Sequence, residues 1–250
     1  MFSILGPFLL PYSPVKQQLG DSLLPPSTHH WLGTDPLGRD ILTRLAYGGR
    51  YSLSIGVFAV GVGLLIGVPV GAVSGYWGGW IDLLIQRVTD AVLAFPGILL
   101  ALALVAGLGV GIVNVVIAVG ISSVPGFIRL VRASVLASRE LTYVEAARAL
   151  GVSDLIILWR HVLPNAIPPT VVQATTQLGA AILVAAGLGF LGLGVPPPTP
   201  EWGDMLSEAR NYIFRDAGVV AAPGIAIALT VLAFNLVGDA LRDALDPRID

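Results

Sequence analysis

Between Asp90 and Arg129 lie 38 consecutive residues without a charged side chain. Wound as one helix they would measure about 57 Å, nearly twice a bilayer core of roughly 30 Å. The stretch must therefore turn back on itself. Gly107-Leu-Gly-Val-Gly111 and Asn114 supply the break, which predicts two spans at about 92–108 and 112–130. Backbone groups in hydrocarbon have no water to pair with, so each span has to be helical.

The rest of the chain repeats this pattern. Residues 53–75 carry no charge and place Gly63, Gly67, Gly71 and Gly75 every fourth position. Such a small-residue stripe lets a second helix approach closely, and Pro69 is expected to kink it. Further spans are expected at about 170–194 and 217–238. Of 250 residues, 55% are hydrophobic and 12% charged, where a soluble domain carries roughly 25% charged. The fold class is all-α, a polytopic membrane protein with five complete transmembrane helices and a partial first one. Residues 1–12 read as the outer end of that first helix, its beginning lying upstream; no basic region or small-residue cleavage site marks a signal peptide. The transmembrane domain proper covers 51–243, and residues 244–250 form a tail.

Two polar excursions interrupt the apolar body. In residues 13–50, Asp35 as cap and Pro36 at the first helical position predict a helix start. Leu37, Ile41, Leu42 and Leu45 would form its apolar side, with Arg39, Asp40 and Arg44 elsewhere and Gly48 at its end: an interfacial amphipathic helix. Residues 76–90 predict another, on Ile81, Leu84, Ile85 and Val88. The excursion at 195–216 is proline-rich and sets four acidic residues against Arg210 and Arg215.

The most patterned charged stretch inside the apolar body is 142–164. Thr142 and Glu145 have capping-box spacing, Ala146, Ala147, Ala149 and Leu150 propagate a helix, and Gly151 suits a left-handed C-terminal cap. Ser153 can cap a second helix with Asp154 at its positive end. Leu155, Leu158, Trp159 and Val162 then recur on one face, and Pro164 is expected to stop the run. Two short helices on the membrane surface result, shaped to be held by another protein. Glu145 either caps locally or reaches a partner. In the following span Thr170, Gln173, Thr176 and Gln177 share a helix side, open both to a substrate path and to helix–helix hydrogen bonding.

Several chemistries are excluded. Gly187-Leu-Gly189-Phe-Leu-Gly192 matches a dinucleotide fingerprint but sits in an apolar run with no preceding strand. The only lysine, Lys16, follows Val15 rather than glycine, so no phosphate-binding loop of the Walker type exists. With no cysteine and only His29, His30 and His161, no metal-ligand set is expected, and no catalytic set is present. The net charge of −2 argues against nucleic acid. The protein is expected to be no enzyme and to hold no cofactor itself.

Glu145-Ala146-Ala147, then three residues, Gly151, and Leu163-Pro164 resemble the EAA loop of permease subunits in type I ABC importers. Gly33-Thr34-Asp35 with Gly38-Arg39-Asp40, Arg160-His161-Val162-Leu163-Pro164-Asn165, Phe190-Leu-Gly-Leu-Gly194, Trp202-Gly203 and Gly238-Asp-Ala-Leu-Arg-Asp-Ala-Leu-Asp-Pro247 are similar to the dipeptide/oligopeptide/nickel permease family, most of all its C-type subunit. The family's complete first helix is the one element not matched. The resemblance implies half of a translocation path shared with a homologous permease, and two cytoplasmic ATPases that bind ATP and magnesium. An extracytoplasmic binding protein would deliver the cargo, di- or oligopeptide, with nickel or another small solute as the alternative. It implies coupling to the ATPase through Glu145, Ala146, Ala147, Gly151, Leu155, Leu158, Trp159, Leu163 and Pro164. An ion-coupled secondary transporter would instead want ionisable groups at mid-membrane, and the spans hold none. The loops at 76–90 and 129–169 with the tail carry eight arginines; the opposite loops carry six basic residues. The positive-inside rule thus places 142–164 and the C-terminus in the cytoplasm, and the resemblance implies a multi-pass protein of a bacterial or archaeal inner membrane.

Overall fold

The computed structural model describes residues 2–245, all of whose regular structure is helical. The elements are α1 (Phe2–Leu9), α2 (Ile41–Trp77), α3 (Gly79–Leu93), α4 (Gly97–Leu108), α5 (Ile112–Arg139), α6 (Thr142–Ala149), α7 (Asp154–Ile156), α8 (Ile167–Phe190), α9 (Trp202–Ala209) and α10 (Ala217–Leu245). Four helical segments are long and apolar enough to cross a membrane: α2, α5, the continuous run Asp154–Phe190 and α10. The bent pair α3 and α4 makes a fifth if counted as one span. Of the tail expected at 244–250, residues 246–250 lie outside the described residues.

The axis of the bundle is α2, and here the structure corrects the sequence reading. No amphipathic helix begins at Asp35 and none ends at Gly48. Asp35 closes a turn instead, its Oδ1 accepting from the backbone N–H of Leu37 and of Arg39 at 2.9 Å each. Gly38 stands at φ +73° and cannot continue a helix. Asp40 is the true cap: its Oδ2 accepts from Thr43 N at 2.8 Å and Thr43 Oγ1 at 2.7 Å. From there the helix runs 37 residues without interruption. Gly48 stays helical because Trp202 lies over it; a Cβ there would sit 3.2 Å from the indole. The polar residues assigned to a wet face, Arg39, Asp40 and Arg44, are all buried.

The glycine stripe of α2 faces α5. A Cβ on Gly67 would meet the Phe127 Cβ at 2.5 Å, on Gly71 the Ile128 carbonyl at 2.7 Å, and on Gly75 the Arg132 carbonyl at 2.8 Å. The two backbones are in contact along three turns. Farther up, Gly56 makes room for Ile182 of α8. The central core forms where α2, α4, α5 and α8 meet, around Ile55, Ala59, Val105, Val115, Phe127, Ala185 and Leu188.

The span expected at 92–108 is broken. Chain direction changes by 88° between α3 and α4. Pro96 lacks an N–H and pushes Phe95 out of helical geometry. What remains of the span is the 12 residues of α4, about 18 Å, while α3 lies across the ends of α2 and α5. Its Asp82 is held by Arg132 through two contacts of 2.6 Å. The turn before α5 falls where the glycines predict, with Asn114 Nδ2 donating to the Leu108 and Gly109 carbonyls.

Pro164 does not stop its helix either. A π-helical turn (Ile157–Val162) and a 3-10 turn (Leu163–Ala166) carry the chain from α7 into α8, which therefore starts before residue 170 and takes in Pro168 and Pro169. Beside α2, the short α1 carries Pro7, which has no N–H to offer the carbonyl of Ser3. Arg50 of α2 fills the vacancy, its Nε donating to Ser3 O at 2.9 Å and an Nη to Ile4 O at 2.8 Å.

Gly67→Leu should therefore separate α2 from α5, costing about 1–3 kcal/mol or more. A thermal-unfolding midpoint in detergent several degrees below the native one is the expected result. Gly61→Leu, where nothing lies within 4 Å of the added Cβ, should unfold at the native temperature.

Candidate coupling surface

The stretch 142–164 forms a helix–turn–helix at the end of the bundle where α2 finishes and α5 finishes. Its turn is made by hydrogen bonds that the sequence predicts: Val152 N donates to Ala147 O at 3.2 Å and Gly151 N to Arg148 O at 3.0 Å. That pair is a Schellman cap, and Gly151 takes the left-handed φ of +80° it requires. Nothing lies within 4 Å of a Cβ built there, so the glycine is needed for its backbone angle alone.

The N-terminal cap is different. Leu141, not Thr142, occupies the cap position, and no side-chain cap bond forms. The capping box is absent because Thr142 is already the first helical residue. Glu145 is exposed, and its carboxylate makes no hydrogen bond to a described residue. Ser153 stands at its expected cap position without a side-chain bond. Asp154 Oδ1 instead accepts from the hydroxyl of Tyr76, in the last turn of α2, at 2.7 Å.

The π-helical turn splits the apolar face that the spacing suggested. An α-helix would set Leu155, Leu158, Trp159 and Val162 side by side; the wider turn rotates them apart. Leu158 and Val162, at 1% and 0% exposure, face the bundle with Ile157 and Leu163. They pack with Val144 and Ala147 of α6, Ala72 and Tyr76 of α2, and Val131 and Val135 of α5. Left outside are Leu150 at 84%, Leu155 at 58%, Ile156 at 51% and Trp159 at 55%, beside exposed Ala146 and Pro164. The nine residues of the motif thus divide: Ala147, Leu158 and Leu163 anchor, Gly151 makes the turn, and Glu145, Ala146, Leu155, Trp159 and Pro164 face outward. Leu150 and Ile156 belong to the outward set and were missed: Leu150 reads only as a helix former, and regular spacing leaves Ile156 off the apolar face.

The four polar residues of α8 separate as well. Thr170 is buried and its hydroxyl donates to Ala166 O at 2.5 Å. Thr176 donates to Gln173 O at 3.0 Å, and its methyl lies where a Cβ on Gly238 of α10 would be, 2.7 Å away. Both are satisfied inside their own helix. The half-buried amides of Gln173 and Gln177 make no hydrogen bond to a described residue. The two large apolar grooves, of about 640 and 660 Å³, run along α10 and include none of the four.

At the opposite end of the bundle sits a group of charges that the sequence did not reveal. Arg39 bridges Asp35 and Glu208 at 2.6 Å each, and Arg44 reaches Glu208 at 2.8 Å. Glu201 caps α9, its Oε2 accepting from Gly203 N and Asp204 N, while its Oε1 accepts from Ser52 of α2 at 2.6 Å. Gly189 and Gly203 lie in the apparent dinucleotide and Trp-Gly motifs, and they are small so that α9 can seat against α8. Glu208 pairs with two arginines more than 160 positions away rather than with Arg210 or Arg215, a match no local pattern carries. Burial pushes the Glu201 carboxyl upward. Burial, and then the neighbouring Glu208, push Asp204 up to about 6.

A polytopic bundle of apolar helices, with an exposed helix–turn–helix at one end and no nucleotide loop of its own, defines a membrane component that works with a partner. The chain belongs to the family of binding-protein-dependent transport system inner membrane components, which matches residues 67–250. It is 53% identical over 224 residues to a glutathione transport system permease protein of Pectobacterium atrosepticum, covering 90% of this chain and 74% of that one. It is 49% identical over 249 residues to a dipeptide transport system permease protein of Alkalihalophilus pseudofirmus, covering 100% and 82%. Among solved structures, an inward-facing form of the MetNI methionine ABC transporter superposes with a TM-score of 0.67 at 22% identity, over 81% of this chain and 96% of that one. The protein is therefore the multi-pass inner-membrane permease subunit of an ABC importer, in the branch that holds dipeptide and glutathione permeases. Such a subunit works with ATPase subunits and a substrate-binding protein, and the ion-coupled alternative falls.

Asp204 yields a test of the buried charge group. A carboxyl raised from 3.8 to about 6 favours the fold below pH 3.8, and that stability is lost as pH rises through 6. Asp204→Asn should unfold at nearly the native temperature at about pH 4 and several degrees above it at about pH 7.5. Melting curves in detergent across that range measure the crossover.

Proposed function

We propose that this chain forms half of the translocation path of a peptide importer and receives the ATP-driven stroke through residues 142–164. The observation that carries the reading is the division of that stretch. One side is welded to the ends of α2 and α5, and the other presents Leu150, Leu155, Ile156 and Trp159 to a partner. Four large apolar side chains on one protruding element suit a groove on a neighbouring protein. The partner is a cytoplasmic ATPase, one copy for each of two homologous permeases. ATP and magnesium belong to the ATPases, and this chain contributes no catalytic group. The loop and the C-terminus lie in the cytoplasm, and the α9 end receives the binding protein.

Peptide cargo is supported by two relatives whose names carry glutathione and dipeptide. Gln173 and Gln177 are the side chains that would meet it on α8, since their amides are left free to pair. Thr170 and Thr176 hold the helix in shape. The absent capping box bears on Glu145: with no local bond to make, its carboxylate is available to a basic group of the ATPase.

Purification of the intact complex from its native membrane tests the reading: two ATPases, a second permease and peptide-stimulated ATP hydrolysis are expected. A chain that transports alone would refute it. In that complex Gly151→Val should keep the protein in the membrane but abolish most uptake while hydrolysis continues, because a β-branched residue opposes φ +80°. Glu145→Gln keeps size and loses charge. It should weaken ATPase binding about three- to tenfold, the size of an interfacial ion pair near the surface, as read by titration of the purified ATPase.

A further inference from the structure

The coupling stretch is attached to the bundle mostly by apolar packing, with one polar exception. Tyr76 stands in the last turn of α2, its ring buried with Ala72, Val131, Val144, Ile157 and Leu158. Its hydroxyl adds a polar contact to the loop, donating to Asp154 Oδ1 at 2.7 Å. Val144 lies in α6 and Asp154 begins α7. The tyrosine therefore contacts both helices, its ring on one side of the Gly151 turn and its hydroxyl on the other.

This end of α2 is itself immobilised. Arg139, at the end of α5, donates one Nη to the carbonyls of Gly75 and Tyr76, at 2.9 and 3.2 Å. A cation on the final carbonyls of a helix is also favoured by its dipole. Ser74 is bonded to Asp82, which is gripped by Arg132. A second clasp, Tyr143 to the His161 carbonyl at 3.1 Å, closes α6 against the π-helical turn. Far along the same 37-residue helix, Ser52 and Arg44 grip α9 through Glu201 and Glu208.

We propose that Tyr76 is a positioning residue for coupling: its hydroxyl, bonded to Asp154, together with its ring on Val144, fixes the angle of both coupling helices against α2, so that loop and helix move as one body. A displacement imposed on the loop then reaches the α9 end through a continuous rod. This rests on the reading that 142–164 docks an ATPase, and it names the contact through which that docking acts.

Tyr76→Phe removes the hydroxyl and keeps the ring, so the packing stays. In the intact complex reconstituted with its binding protein, uptake per ATP hydrolysed should fall about two- to tenfold, the worth of one hydrogen bond. Asp154→Ala should lower the ratio to the same extent, and the double variant should be no worse than either single. Asp154→Asn keeps an oxygen acceptor and should restore the ratio to within about twofold of native. Co-purification of the ATPase should be unchanged in all four, since none of the outward apolar residues is altered. A native ratio in Tyr76→Phe, or losses that add in the double variant, would overturn the proposal, whatever happens to the melting temperature. Failure of the unmutated chain to bring down any ATPase would overturn the docking reading and this inference with it.

Discussion

The fold depends on the backbone contact between α2 and α5. Without side chains at Gly67, Gly71 and Gly75, the two helices meet closely enough for a Cβ to collide with carbonyl oxygens. In lipid the apolar faces of helices gain little from leaving their surroundings, so dispersion across such close contacts is what holds a pair together. Everything else is arranged against that pair. α8 packs where Gly56 opens α2, α3 lies across the two ends, and the coupling stretch closes over them.

The two ends of the bundle are built by different means from the middle. The central core is aliphatic and close-packed. The α9 end is held by buried charges, Arg39 and Arg44 against Asp35 and Glu208. Pairs of this kind give little net stability but are costly to break, so they fix one arrangement. The coupling end combines apolar anchoring with hydrogen bonds from Tyr76 and Arg139. A helix clamped at both extremities and smooth between them suits transmission of a displacement, because its ends cannot move independently.

How much of this was legible in the sequence follows from the range of each signal. Long uncharged runs located the spans, since hydrocarbon tolerates little else. Gly151 announced its turn, because a left-handed cap has almost one residue type that fits it. The EAA-like pattern singled out 142–164 as the stretch proposed to couple. The start of α2 was misplaced: Asp35-Pro36 carries a local cap signal, but Gly38's positive φ keeps a helix from running on from there and the start moves to Asp40. The apolar face of 155–162 was misassigned because regular spacing assumes a regular helix, and a π-helical turn breaks that assumption. The charge group at α9 was invisible because its partners are separated by most of the chain, and the hydroxyl of Tyr76 gave no sign within an apolar run.

The pairing of Arg50 with α1 carries a different lesson. A half-buried arginine ordinarily finds an acid, yet Arg50 has none among its contacts with the described residues. It uses the Ser3 carbonyl that Pro7 leaves idle, and its guanidinium also lies 4.9 Å from the ring of Phe8. A missing hydrogen bond in one helix thereby becomes the counter-charge for another. Proline and arginine form a complementary couple 43 positions apart (50 − 7). In other chains of this branch the two should come and go together, an inheritance written in a backbone vacancy.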